Sequence, residues 1–176
     1  MELGSMNLIW CYITITVACA HAQYCQPGQE RFGVSCYEML AERMTWKKAA
    51  EACSDMGASL AIPDSLDEHQ FIWEMFTRIA TKGGVWIGCT DIEQEGVWMR
   101  AGGQGRRCTY FNWAPGEPDE FHGERKDCLV MQRGREGLWN NIGCSNRRYA
   151  ICEYATPEIY CLQADANGRF ASLYKD

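Results

Sequence analysis

The stretch Trp113-Ala114-Pro115-Gly116-Glu117-Pro118-Asp119, then Cys128, Trp139-Asn140-Asn141, Cys144 and Cys152, carries the densest chemistry in the chain. It gathers Glu117, Asp119, Glu124, Asn140 and Asn141 in a turn-rich region pinned by cysteines. These are hard oxygen donors with no histidine cluster beside them, a set that suits Ca2+ better than Zn2+ or copper. Residue chemistry alone therefore points to a calcium site.

Working outward, 176 residues is one domain's worth, large enough for a core and small enough to gain from covalent staples. A net charge of -6 argues against nucleic acid or anionic lipid as the main partner. At the amino end Leu8 to Ala20 is a short apolar run, and Ala20-His21-Ala22 is a small-x-small cleavage site before Gln23. Residues 1–22 are thus expected to be a signal peptide, although Glu2 stands in the leading segment where Lys or Arg is usual. A membrane anchor fits less well, because the run is short for a bilayer and lacks a positive flank. Secretion implies an oxidising compartment, in which cysteines form disulfides. Of the 11 cysteines, Cys11 and Cys19 leave with the signal; Cys25, Cys36, Cys53, Cys89, Cys108, Cys128, Cys144, Cys152 and Cys161 remain.

Between the cysteines the pattern changes once. Pro27-Gly28 and Gly33 mark a hairpin between Tyr24 and Tyr37. Thr45 is placed to cap a helix carrying Trp46, Ala49, Ala50, Cys53 and Met56, ended by Gly57. Ser65-Leu66-Asp67-Glu68 is a capping box for a second helix, with Phe71, Ile72, Met75, Phe76 and Ile79 as its apolar stripe. His69 falls in its first turn, at the edge of that stripe. After Gly84 come short apolar runs at 85–89, 96–99, 108–113, 129–132 and 149–153, broken by Gly, Asn, Pro and Asp. Two helices before a looped, strand-rich half predict an α+β domain, with binding on its long loops between Gly102 and Gly143. The chain turns polar after Thr156, so 156–176 is expected to be a tail.

Trp86-Ile87-Gly88, Glu117-Pro118-Asp119, Trp139-Asn140-Asn141 and the order Cys53, Cys128, Cys144, Cys152 together resemble a C-type lectin-like domain. The resemblance runs from about Cys25 to Tyr154, so the domain is placed at 23–155. It implies the C-type lectin-like fold: two helices, short antiparallel sheets and a long-loop ligand region, stapled by disulfides. It also implies the pairs Cys25–Cys36, Cys53–Cys152 and Cys128–Cys144. Of the three cysteines left over, Cys89 and Cys108 are expected to form a fourth internal bridge. Cys161 is then left either for an interchain disulfide in a homodimer or as a capped thiol.

The resemblance further implies that the Glu117–Pro118 peptide bond is cis and that Glu117, Asp119, Asn140 and Asn141 match the family's principal calcium ligands. Three departures stand out. Asp119 replaces the Asn of mannose-type members, Asn141 replaces a usual Asp, and Lys126 stands where a further acid is normal, with Glu124 two residues earlier as a possible substitute. Sugar recognition in this family uses two vicinal hydroxyls, each giving a proton to a carboxylate and accepting from an amide. Glu117, Asp119, Phe121 and Asn140 are the expected sugar contacts. Glu-Pro-Asp is a hybrid of the mannose-type and galactose-type motifs. Phe121 stands where galactose-type members stack an aromatic ring on the sugar, so the choice stays open, as does the alternative that Phe121 is an ordinary loop hydrophobe. His122 is expected to be a solvated loop residue.

An enzyme is not expected. Gly-x-Ser-x-Gly and His-Glu-x-x-His are both absent, and only His69 and His122 remain after signal removal. Asn-x-Ser/Thr is absent too, so no N-linked glycan is expected. The leading expectation is a secreted, extracellular, calcium-dependent lectin for glycans with terminal hexoses, of the kind that serves innate immunity. The competing one is a calcium-independent module that binds a protein partner through the same loop face. Neither includes a nucleic-acid partner or a membrane span.

Overall fold

The computed structural model describes residues 25–102, 105–119 and 125–155, together with the backbone of 162–164 and 170–172. Two compact units divide the chain, one formed by Pro27–Ala155 and the other by Met1–Gln26 with Thr156–Asp176. In the first, β1 (Glu30–Phe32) turns at Gly33 into the long strand β2 (Ser35–Met44). Two helices follow, α1 (Trp46–Asp55) and α2 (Leu66–Ile79), separated by the two-residue β3 (Ser59–Leu60). Then come β4 (Gly84–Thr90), β5 (Met99–Arg100), β6 (Cys128–Gln132), β7 (Trp139–Ile142) and β8 (Arg148–Ala155). The sheet order is β1-β2-β8-β4-β6-β7, with β3 added on β8 and β5 on β4. All these pairs are antiparallel except β4 with β8, which run parallel at Val85 and Tyr149, so the sheet is mixed.

The helices form for local reasons and are held by what they bury. Thr45 occupies the N-cap of α1, but its side chain makes no capping bond; the Trp46 N–H goes instead to the Cys144 carbonyl at 3.1 Å. Ser65 caps α2 by accepting from the Glu68 N–H at 3.2 Å, an arrangement worth about 1 kcal/mol. The box is only half closed, because the Glu68 carboxylate accepts from the Asp64 N–H at 2.7 Å and the Tyr37 hydroxyl at 2.5 Å. From α2, Ile72, Met75 and Phe76 enter the core. Ile79 does not, being 62% exposed, which corrects its place in the stripe. His69 is deeper than an edge position, at 3% exposure.

Under α1, Ala49 and Cys53 pack with Leu60, Trp86, Val130 and Cys152. The buried Trp86 and half-buried Trp46 indoles are satisfied by backbone carbonyls: Trp86 Nε1 donates to Met44 O and Trp46 Nε1 to Ile87 O, each at 2.8 Å. Disulfides join Cys53 to Cys152, Cys89 to Cys108 and Cys128 to Cys144. Cys25 and Cys36 are also disulfide-bonded. The aromatic run 108–113 is not a strand, contrary to its sequence pattern; it has one isolated bridge just before it, Met99 with Arg107, and one at its last residue, Trp113 with Trp139. In the second unit β9 (Leu162–Ala164) and β10 (Phe170–Ser172) pair antiparallel, Phe170 opposite Ala164, so part of the expected polar tail has regular structure. No helix among the described residues is long and apolar enough to cross a membrane.

Candidate functional site

The Glu-Pro-Asp loop is anchored to the first residues of β7. The Trp139 N–H donates to Asn112 O at 2.8 Å and the Ala114 N–H to Trp139 O at 2.9 Å. A tight turn follows, in which the Glu117 N–H reaches Ala114 O at 3.0 Å while Gly116 takes φ +85°, a conformation that favours glycine. The Glu117–Pro118 peptide bond is cis. Asn141 then clasps the loop from both sides: its Oδ1 accepts from the Asp119 N–H and its Nδ2 donates to Asp119 O, both at 3.2 Å. The side chain placed by sequence as a metal ligand thus spends both ends of its amide on the loop backbone.

Both carboxylates are met by cations. Lys126 Nζ lies 2.6 Å from Asp119 Oδ1, and Arg135 Nη2 lies 2.9 Å from Glu117 Oε1. Glu117 Oε2 accepts from the Asp119 N–H at 3.2 Å. The Lys126 ammonium holds Asp119 below the usual carboxylate range. Burial pushes Glu117 up, as does the Asp119 charge, against the pull of Arg135. Asn140 bonds to none of these groups; it is 9% exposed and its buried Oδ1 has no partner. The structure therefore brings Glu117, Asp119 and Asn141 into one network, with Asn140 beside it in β7. Glu124, Phe121, His122 and Cys161 lie outside the described residues.

Ca2+ takes six to eight oxygen ligands. Here Asp119 Oδ1, Glu117 Oε1 and Asn141 Oδ1 serve an ammonium, a guanidinium and a backbone N–H, whereas Asn140 Oδ1 has no partner, so in this arrangement three of the expected donors are engaged and one is not. Among the described residues no cluster of three or more His, Cys, Asp or Glu is arranged to hold a metal.

A second acidic pair was missed by sequence reasoning. Asp91 and Asp127 are 1% and 4% exposed, and the Oδ1 of each has no partner. Asp91 Oδ2 accepts from the Gly96 N–H at 2.9 Å, and Asp127 Oδ2 pairs with Arg125 Nε at 3.0 Å. Burial, with the Asp127 charge, pushes Asp91 above its ordinary value. Buried carboxylate oxygens without partners are hard donors of the kind that a cation takes. The available signal was positional: Asp91 follows the end of β4 and Asp127 precedes the start of β6, and those ends pair at Thr90 and Cys128.

This geometry sits within a known family. Residues 42–154 match the family model for the lectin C-type domain, and the chain belongs to that family. It is 34% identical over 130 residues to perlucin of Haliotis laevigata, covering 73% of this chain and 82% of that one. It is also 34% identical to the hepatic lectin of Gallus gallus, over 73% of this chain but only 59% of that longer protein. Among solved structures it is similar to the mouse scavenger receptor C-type lectin carbohydrate-recognition domain, with TM-score 0.66, 30% identity, and coverage of 75% of this chain and 98% of that one. A calcium-independent type II antifreeze protein is similar to the same degree, with TM-score 0.66, 29% identity, and coverage of 77% and 97%.

Proposed function

We propose that this chain is an extracellular carbohydrate-binding module of the C-type lectin family whose Glu-Pro-Asp loop works without Ca2+ between Glu117 and Asp119. One observation carries the reading: Lys126 Nζ stands 2.6 Å from Asp119 Oδ1, a cation already set against a carboxylate expected to serve as a calcium ligand. A sugar hydroxyl both donates and accepts. Glu117 and Asp119 supply acceptors for its proton, and the Lys126 and Arg135 N–H groups supply donors for its lone pairs, a role that a metal fills elsewhere. The similarity to an antifreeze protein described as calcium-independent supports the view that this architecture can stand without the ion. Similarity to a hepatic lectin supports a glycan binder, and disulfide usage supports an extracellular setting.

A second reading, calcium-dependent binding, is favoured by the orphaned Oδ1 atoms of Asp91 and Asp127. There Asp91 and Asp127 would hold the ion, which would neutralise two buried charges and stiffen the neighbouring loop. The test is passage over immobilised mannose, galactose and bare agarose in EDTA and again in calcium. Retention on a sugar in EDTA supports the first reading, and retention only in calcium replaces it with the second. Passage through every column in both buffers overturns both and leaves a protein partner for the loop face. A covalent dimer through Cys161 would show as a doubled mass on non-reducing gels.

A further inference from the structure

We propose that Arg43, Arg147 and Arg148 form a second binding surface, separate from the Glu-Pro-Asp loop, that takes a sulfated polysaccharide. The three arginines lie where β2 ends and β8 begins, with Met44 paired to Arg148 across the ladder. Arg43 and Arg147 hold each other through the backbone. Arg43 Nη2 donates to Arg147 O at 2.8 Å, and Arg147 Nε and Nη2 donate to Arg43 O at 3.1 and 2.7 Å. Arg148 Nη1 reaches Arg147 O at 2.9 Å. Like charges are thus fixed side by side, and burial together with the Arg43 charge lowers the basicity of Arg148.

No counter-charge among the described residues pairs with them. Among the described residues none of the three forms an ion pair, not even with Glu42, the residue before Arg43, although six such pairs occur elsewhere. A chain of net charge -6 has acids to spare, so this concentration of unpaired guanidinium is a local feature rather than a consequence of composition. Arg43 and Arg147 are exposed and Arg148 is half-buried. These bonds occupy a minority of their N–H groups, leaving planar donor forks that match the paired oxygens of sulfate esters. Three such forks exceed what one small anion needs and suit a polymer bearing sulfates at intervals. Binding by ionic contact should weaken steeply with salt.

The experiment compares retention of the full chain on immobilised heparin and on hyaluronan, which carries carboxylates but no sulfate, under a salt gradient. Heparin should retain the protein, and hyaluronan should not. Arg43→Gln with Arg147→Gln should weaken heparin affinity at least tenfold. Arg106→Gln with Arg107→Gln, which removes the same charge near the opposite end of β4, should leave it within twofold. Thermal melts of both variants keep loss of binding apart from loss of fold. Passage of the wild-type chain through heparin at low salt, equal weakening by the two double variants, or equal retention on DNA would each overturn the proposal. Because none of these steps uses the Glu-Pro-Asp loop, the outcome is independent of the sugar and calcium tests.

Discussion

The indole N–H of Trp139 donates to Nδ1 of His69 at 2.9 Å, tying helix α2 to the first residue of β7 and so to the strand that carries Asn140 and Asn141. That bond requires Nδ1 to be unprotonated, which places the ring proton of the neutral imidazole on Nε2, and the Asn112 amide 3.1 Å away then presents its oxygen to accept it. Burial holds His69 below its ordinary value. The unfolded chain takes up this proton as pH falls below about 6.5, while the folded chain resists it, so folding stability rises with pH across that window. The wild-type melting temperature should therefore fall between pH 7.5 and 5.5 by more than that of His69→Gln. Parallel curves for the two proteins would remove His69 from the acid response.

Gly88 makes a sharper structural prediction. A Cβ there would overlap the Leu60 carbonyl oxygen and lie 2.8 Å from Ile62 Cγ1, so backbone as well as side chain would have to move. Gly88→Ala should destabilise by about 1–3 kcal/mol, the usual cost of overpacking a core. Chemical denaturation reads this directly, and an unchanged midpoint would show that β3 yields freely.

How far the sequence disclosed all this depends on the range of the interaction. Helix α2 was legible because its cap and apolar residues are local, although Ile79 keeps the period after the core has ended. The run 108–113 looked like a strand because Tyr110, Phe111 and Trp113 are β-prone. Their rings instead pack around Trp139, with centroids 5.6, 6.2 and 6.4 Å from it, so the aromatic content serves packing rather than a ladder. At the site, the residue types were legible but their partners were not. Arg135 reaches Glu117 from the 3-10 turn after β6, and no spacing rule links the two. Asp91 and Asp127 meet only through the pairing of β4 with β6.

The Cys89–Cys108 bridge closes a loop of 19 residues, against 99 for Cys53–Cys152. In the chain-entropy model these are worth about 3 and about 4.7 kcal/mol. Cys89→Ala with Cys108→Ala should therefore lower stability less than Cys53→Ala with Cys152→Ala. Cys108 stands at the base of the segment leading to Glu117, with its N–H on Trp98 O at 2.9 Å, so the first variant should also loosen that segment. Hydrogen exchange at 108–116 checks this, and unchanged protection there would confine the bridge to a global role.

Lys126→Glu tests the calcium argument at its origin. The substitution removes the ammonium that holds Asp119 low and sets a third carboxylate beside Glu117 and Asp119. In EDTA the variant should melt below the wild-type chain, because like charges then face one another with only Arg135 to offset them. Calcium should reverse this. A ligand that binds the folded state alone at 100 times its Kd stabilises by about 2.7 kcal/mol, so the variant's calcium-induced rise should exceed the wild-type rise by an amount of that order. Any response from Asp91 and Asp127 is common to both proteins and cancels in the difference. Adding Glu117→Ala to the variant should remove the gain. Equal calcium responses in wild type and Lys126→Glu would mean that Lys126 does not stand in for the ion.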